Sequence, residues 1–305
     1  MANNGKYSYS KVDCYKQCPF KFMLKYIDGH YINAPAIALD VGNLIHGTEE
    51  TIANCIKNGT PIDYVGLKNN LILETIKLEH KFPKDFCEPD KVNRYYKEKL
   101  YYYIEEGIYR LEKFMKDHPT YEIVGAEVPF KLTLEGKPFS GKIDRLIRDT
   151  ATGKYICHDV KTYPVAVEKD DLTTPLQFVV YVEAIKEMYK VNTEDVSCGY
   201  DLPFCNLIQD AGTSGFVGRG HKKIKSLLEA IDAGEFEPNP TPLCYWCEFS
   251  ATNPNQVQAG KNLCPYHSLW TKQKASFEKA AEWRGLAEHG IILENYIKNG
   301  PQKAV

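Results

Sequence analysis

Asp144 in Gly141-Lys-Ile-Asp144-Arg-Leu, with Asp159 and Lys161 in His158-Asp-Val-Lys161-Thr, are the residues of this 305-residue chain best spaced for chemistry. Both segments are rich in apolar and β-branched residues, and Asp149-Thr-Ala-Thr-Gly153 between them reads as a hairpin turn. A symmetric hairpin centred between Ala151 and Thr152 sets Asp144 opposite Asp159, with side chains roughly 5 Å apart on one face. Lys161, two residues further on, shares that face. Facing carboxylates repel unless a cation lies between them, and a hard divalent ion such as Mg²⁺ takes oxygen ligands of this kind. A lysine ammonium beside it could position a water or neutralise charge growing on a phosphate. A hairpin whose Asp and Lys simply face solvent has the same pattern, and a one-residue slip removes the pairing.

Other residues gain meaning beside that hairpin. Gln177 and Tyr181 are spaced i, i+4 and share one face of the following helix. His46 sits on an earlier helix, off the stripe of Val41, Ile45 and Ile52, and imidazole suits Mn²⁺ better than Mg²⁺. Each also has a plain structural reading: a core tyrosine, a surface glutamine, a solvated histidine. Ten cysteines include the tight pair Cys244-Tyr-Trp-Cys247, which points to metal or redox chemistry rather than disulfides.

The elements that must position these residues follow from period and punctuation. Ser8 and Ser10 can cap a short helix, and Pro19 suits the first turn of a second. Helical patterns run over about 40–56, 66–81 and 91–117, the last a single long helix. The period then shortens, and 121–134, 138–148 and 154–162 read as a three-strand meander. A helix over 171–189, a strand over 195–203, a Gly-rich loop over 209–220 and a helix over 221–233 follow. A Pro- and Cys-rich segment fills 238–267, and a last helix covers 268–297. This order predicts a mixed α/β core behind an N-terminal helical part. The formal net charge of −2 gives no global basic field, so any nucleic-acid surface must be local. Lys6, Lys11, Lys16, Lys21 and Lys25, and Arg219, His221, Lys222, Lys223 and Lys225, are the candidates for phosphate contacts. Nothing in the sequence spans a membrane or leads export, so the expectation is a cytoplasmic protein.

Taken in order, Ser8-Tyr-Ser-Lys11, Cys18-Pro-Phe, Tyr26, Gly42-x-x-x-His46, Glu127, Gly141-x-x-Asp144-Arg-Leu, Asp159-Val-Lys161-Thr, Gln177-x-x-x-Tyr181 and the late cysteines resemble a known family. It is the PD-(D/E)xK nuclease superfamily, in its RecB/AddB-like and CRISPR-adaptation-nuclease-like branch, and the resemblance covers about residues 8–265. It implies a restriction-endonuclease-like mixed sheet flanked by helices. The nuclease domain would span 1–267: a helical part to about 118, a catalytic core over 119–237 and the Cys-rich segment 238–267. A helical extension would occupy 268–305. It further implies that His46, Asp144, Asp159 and the Val160 carbonyl hold Mg²⁺ or Mn²⁺, that Lys161 orients the attacking water, and that Gln177 and Tyr181 hold the site and the DNA backbone. Glu127 matches an acidic position of the family less closely.

The resemblance also implies a [4Fe–4S] cluster on Cys18, Cys244, Cys247 and a fourth cysteine. Cys264 is the candidate, although it lies 17 residues past Cys247. Zn²⁺ suits four thiolates equally well, with His267 as a substitute ligand and Cys14 as another; Cys18 and Cys264 as ordinary buried thiols is the plain alternative. The expected activity is phosphodiester hydrolysis in DNA, as an exonuclease on free ends or single strands, in repair, recombination or end processing. A helicase or recombination protein would then be a separate chain. A non-catalytic DNA-binding or assembly subunit that keeps the fold is the alternative.

Overall fold

The computed structural model describes residues 6–32, 36–87, 96–168, 175–212, 215–239, 241, 244, 247–249 and 264. The final helix expected over 268–297 lies outside them. The chain divides into two units, residues 1–35 with 223–305, and residues 36–222.

In the first unit, α1 (Tyr9–Gln17) starts where the Ser8 side chain accepts from the Lys11 N–H, as the sequence predicts. Cys18 is extended, and Pro19 opens α2 (Pro19–Phe22), which winds on into one wide turn over Met23–Ile27. Phe22 is fully buried against Tyr15 and Phe236, at ring-centroid separations of 5.5 and 6.2 Å. The Tyr15 hydroxyl donates to the Glu235 carbonyl at 2.5 Å, and Lys25 pairs with Glu248 at 2.9 Å. These links draw the chain beyond residue 235 back to the first two helices.

The second unit is built on one five-strand sheet in the order β1 (Tyr121–Leu134), β2 (Lys137–Asp149), β3 (Tyr155–Val160), β4 (Val196–Leu202), β5 (Leu207–Gly212). The first three strands are the expected antiparallel meander. α8 (Leu176–Tyr189) then crosses over, so that β4 runs parallel to β3. β3 is the middle strand and is buried from end to end, as a strand covered on both faces must be.

Helices cover both faces. On one, α3 (Ile37–Asn58), α4 (Tyr64–Lys81), α5 (Pro83–Cys87), α6 (Tyr96–Glu105) and α7 (Arg110–Asp117) pack Val41, Ile45, Ile52, Leu100, Tyr103 and Leu111 into one core with Ile123, Ile147, Ile156 and Val160 of the sheet. On the other, α8 lays Phe178 and Tyr181 against Tyr200 and Phe130, and Tyr189 stacks on Tyr155. α9 (Val217–Asp232) closes the described secondary structure. No helix among the described residues is long and apolar enough to cross a membrane.

Two expectations need correction. The stretch 91–117 is not one helix, because α6 and α7 are separated by a 3₁₀ turn over Gly107–Tyr109. Gly107 lies so near the Pro203 carbonyl that an added Cβ would stand 2.8 Å from its oxygen. The supposed loop over 209–220 begins as β5, an edge strand with a bulge opposite Cys198/Gly199. Asp210, Ala211 and Gly212 are poor strand formers, and pairing with β4 overrides that preference.

Candidate metal centre

The β2–β3 register decides whether the two carboxylates can meet. Arg145 pairs with His158, Leu146 with Cys157, Ile147 with Ile156 and Arg148 with Tyr155. That is the symmetric register expected from the turn, and one step further it sets Asp144 against Asp159. The β1–β2 ladder, with Ala126 on Arg145 and Val128 on Ile143, likewise brings Glu127 alongside Asp144. Three acidic residues therefore stand abreast on three adjacent strands.

Asp144 and Asp159 differ in their surroundings. One Asp144 oxygen accepts from the Val160 N–H at 2.9 Å. Burial, together with the charge of Asp159, pushes the Asp144 carboxyl up to about 8. Asp159 is fully buried; its Oδ2 lies 2.5 Å from Lys161 Nζ, and its Oδ1 accepts from Gln177 Nε2 at 2.7 Å. Gln177 also donates to the Tyr181 hydroxyl at 2.8 Å, which itself comes within 3.5 Å of Asp159 Oδ1. The i, i+4 pair thus shares one face, as expected, and that face is turned on Asp159. Burial would lower the Lys161 pKa, but the neighbouring Asp159 outweighs it, and the ammonium holds its proton more tightly than usual.

From the opposite face of the sheet, α3 delivers His46. Its Nδ1 stands 3.7 Å from Asp144 Oδ2 and 3.9 Å from Glu127 Oε1, and the ring bonds the Val160 carbonyl. Burial, helped by the Lys161 charge, lowers the His46 pKa and favours the neutral ring that ligates metals. His46, Glu127 and Asp144 offer three donor atoms all within 4.8 Å of one another. Glu127 holds a left-handed backbone, φ 49°, in mid-strand, a strain of about 1–3 kcal/mol for a non-glycine residue, and pairs with Lys142 at 3.3 Å.

Beneath this centre lies a set of charges that the sequence reading missed. Arg145 donates to Glu49 at 2.9 Å and pairs with Asp201; Arg110 bonds the same two carboxylates at 3.0 and 2.6 Å; Tyr103 donates to Glu49 at 2.7 Å. All five are buried. Burial alone would raise the Asp201 pKa, but the two guanidinium groups hold it far below the usual carboxylate range. The available signal was Arg145 itself, which alternates with Ile143 and Ile147 on the inward face of a strand.

Cys18, Cys244, Cys247 and Cys264 belong to the first unit. Cys18, Cys247 and Cys264 pack around Phe20, Leu24 and Phe249. Burial above all pushes the Cys247 thiol up to about 11, and Cys18 and Cys244 are both close enough to add to that rise. Backbone N–H groups point at the sulfurs: Asn239 on Cys18, Thr241 on Cys244 and Phe249 on Cys247. Cys157 and Cys198 are fully buried in the sheet, as core residues should be. His221, considered above for phosphate, instead lies between Glu135 at 2.8 Å and Glu183 at 3.2 Å.

A mixed sheet between helices, with acidic residues and a lysine at the end of its middle strand, defines a class that the sequence match then names. Residues 6–252 match the family model of the PD-(D/E)XK nuclease superfamily, and the chain belongs to that superfamily. No curated protein matches the chain in sequence. Among solved structures it is similar to the crystal structure of SSO0001, at 18% identity over 62% of this chain and 85% of that one. The TM-score of 0.30 is too low for that likeness to carry an argument.

Proposed function

We propose that the chain is a divalent-metal-dependent DNA nuclease whose centre is formed by His46, Glu127, Asp144, Asp159 and the Val160 carbonyl, with Lys161, Gln177 and Tyr181 around it. The observation that carries this reading is the convergence of His46, Glu127 and Asp144 beside the Asp159–Lys161 pair. Facing carboxylates repel, and burial together with the Asp159 charge raises the Asp144 pKa accordingly. Oxygen donors with one imidazole are a donor set for Mg²⁺ or Mn²⁺.

When bound, the cation supplies positive charge beside the scissile phosphate and makes a water easier to deprotonate. The chain does the rest. Asp144 is held by the Val160 N–H and Asp159 by Gln177, which orients both carboxylates before substrate arrives. Lys161, kept cationic by Asp159, is placed to hold the attacking water or a phosphate oxygen. Tyr181, its hydroxyl kept protonated by burial and Asp159, fixes the amide of Gln177.

On this reading Cys18, Cys244, Cys247 and Cys264 hold a [4Fe–4S] cluster, with Zn²⁺ as the alternative. Amide N–H groups directed at Cys18, Cys244 and Cys247, with Lys21 nearby, favour thiolate and work against the burial that keeps the metal-free thiols protonated; a bound cation would tip that balance. The role of such a group would be structural, closing the chain from residue 18 to residue 264. Residues 1–267 then form the nuclease domain and 268–305 an extension. We assign the enzyme to exonucleolytic work on free ends or single strands in repair, recombination or end processing in the cytoplasm, with any motor on another chain. Incubation with linear and circular DNA, in Mg²⁺, Mn²⁺ or chelator, tests this: cleavage that needs metal and is faster on ends supports it, and cleavage indifferent to chelator refutes it.

A further inference from the structure

The loop leaving β3 puts apolar surface where a turn is normally polar. Tyr163 is 42% exposed and Val165 69% exposed, two and four residues beyond Lys161. The loop is fastened at both ends. The Val167 N–H donates to Gln209 Oε1 at 2.8 Å, and Gln209 Nε2 returns a bond to the Val167 carbonyl at 3.1 Å. The Cys205 thiol reaches the Tyr163 carbonyl at 3.4 Å. The Tyr163 ring rests edge-on against Tyr200, centroids 6.1 Å apart. Its phenol is near enough to Lys161 to act on the ammonium electrostatically. An aromatic face braced in this way has already lost most of the freedom that binding would otherwise cost it.

We propose that Tyr163, flanked by Val165, is a stacking seat for one unpaired base of the DNA strand whose phosphate lies at Lys161. The inference rests on the nuclease reading of the same centre and adds to it the residue that seats a base. Every base presents a π-face, so such a seat is indifferent to sequence. A base inside a duplex is already stacked on its neighbours and must leave them first, which is the source of selectivity.

The test compares full-length wild type with Tyr163→Ala and Tyr163→Trp. Binding of a labelled oligonucleotide is read by fluorescence anisotropy in chelator, and KM and kcat are read in Mn²⁺. Tyr163→Ala is expected to weaken single-strand binding and raise KM about tenfold, within the range of one aromatic–base stack, with kcat at saturation unchanged. Tyr163→Trp should bind as wild type, and duplex binding should change less than about twofold. An abasic site walked along the oligonucleotide should find one position where its effect and that of Tyr163→Ala do not add. Equal binding by wild type and Tyr163→Ala overturns the proposal, as does equal loss in both variants on single and double strands, which would mark the patch as structural or as a protein contact. If wild type cleaves nothing with any metal yet Tyr163→Ala still loses single-strand binding, the nuclease reading fails and the seat stands.

Discussion

Glu49 and Arg145 meet in the core, Oε2 to Nη2 at 2.9 Å, one helical turn from His46 and one strand position from Asp144. This ion pair ties α3 to β2 beside the point where His46 comes within 3.7 Å of Asp144.

Arg145→Ala should therefore be among the most damaging substitutions in the chain. It leaves Glu49 and Asp201 with one guanidinium between them in a buried site, at a cost of about 3–5 kcal/mol. Chemical denaturation should show the full loss, whereas Asp144→Asn, at the partly exposed centre, should leave the midpoint unchanged or higher. A small loss for Arg145→Ala would deny the network its structural role.

The Asp144 carboxyl, raised to about 8 by burial and by Asp159, links metal, protons and stability. The folded protein holds this proton more tightly than the unfolded chain does. Its contribution is complete below the usual carboxylate range and is lost as pH rises toward about 8. Metal-free protein should become less stable over that window, and Asp144→Asn should flatten the trend. Mn²⁺ binding at pH 7 should release about one proton, visible in calorimetry as a dependence on buffer ionisation enthalpy, and should release almost none above pH 9.

Glu127 combines a left-handed backbone with a place among the donor atoms. Glycine adopts that conformation without strain, so Glu127→Gly should not lower the melting temperature of the metal-free protein. Its Mn²⁺ affinity should fall about tenfold or more. Unchanged affinity would remove Glu127 from the metal set.

Protein purified without oxygen should carry iron and acid-labile sulfide, and Cys244→Ser should lose both together with much of its thermal stability. Stoichiometric zinc would assign the site to Zn²⁺ instead; thiols that titrate freely in the native protein would mean no metal group at all.

The arrangement of the candidate site was legible wherever short-range rules suffice. The turn at 149–153 set the β2–β3 register, and with it the opposition of Asp144 and Asp159; the i, i+4 spacing put Gln177 and Tyr181 on one face. His46 could be singled out by its helix but not placed, because its approach to Asp144 depends on how α3 crosses the sheet. Contacts set by the tertiary fold were not legible. Glu49, Arg110 and Asp201 come from three separate elements, β5 forms against its own propensities by pairing with β4, and Gly107 breaks a helix because of a carbonyl nearly a hundred residues away.

The most direct test of the central claim is cleavage of linear single-stranded DNA in Mn²⁺ by wild type, Asp159→Ala and Lys161→Ala, each first shown to melt as a folded protein. The account predicts metal-dependent cleavage by wild type, none detectable for Asp159→Ala, and a rate at least about a hundredfold lower for Lys161→Ala, the scale of a lost electrostatic stabiliser. Cleavage by Asp159→Ala at the wild-type rate would contradict it.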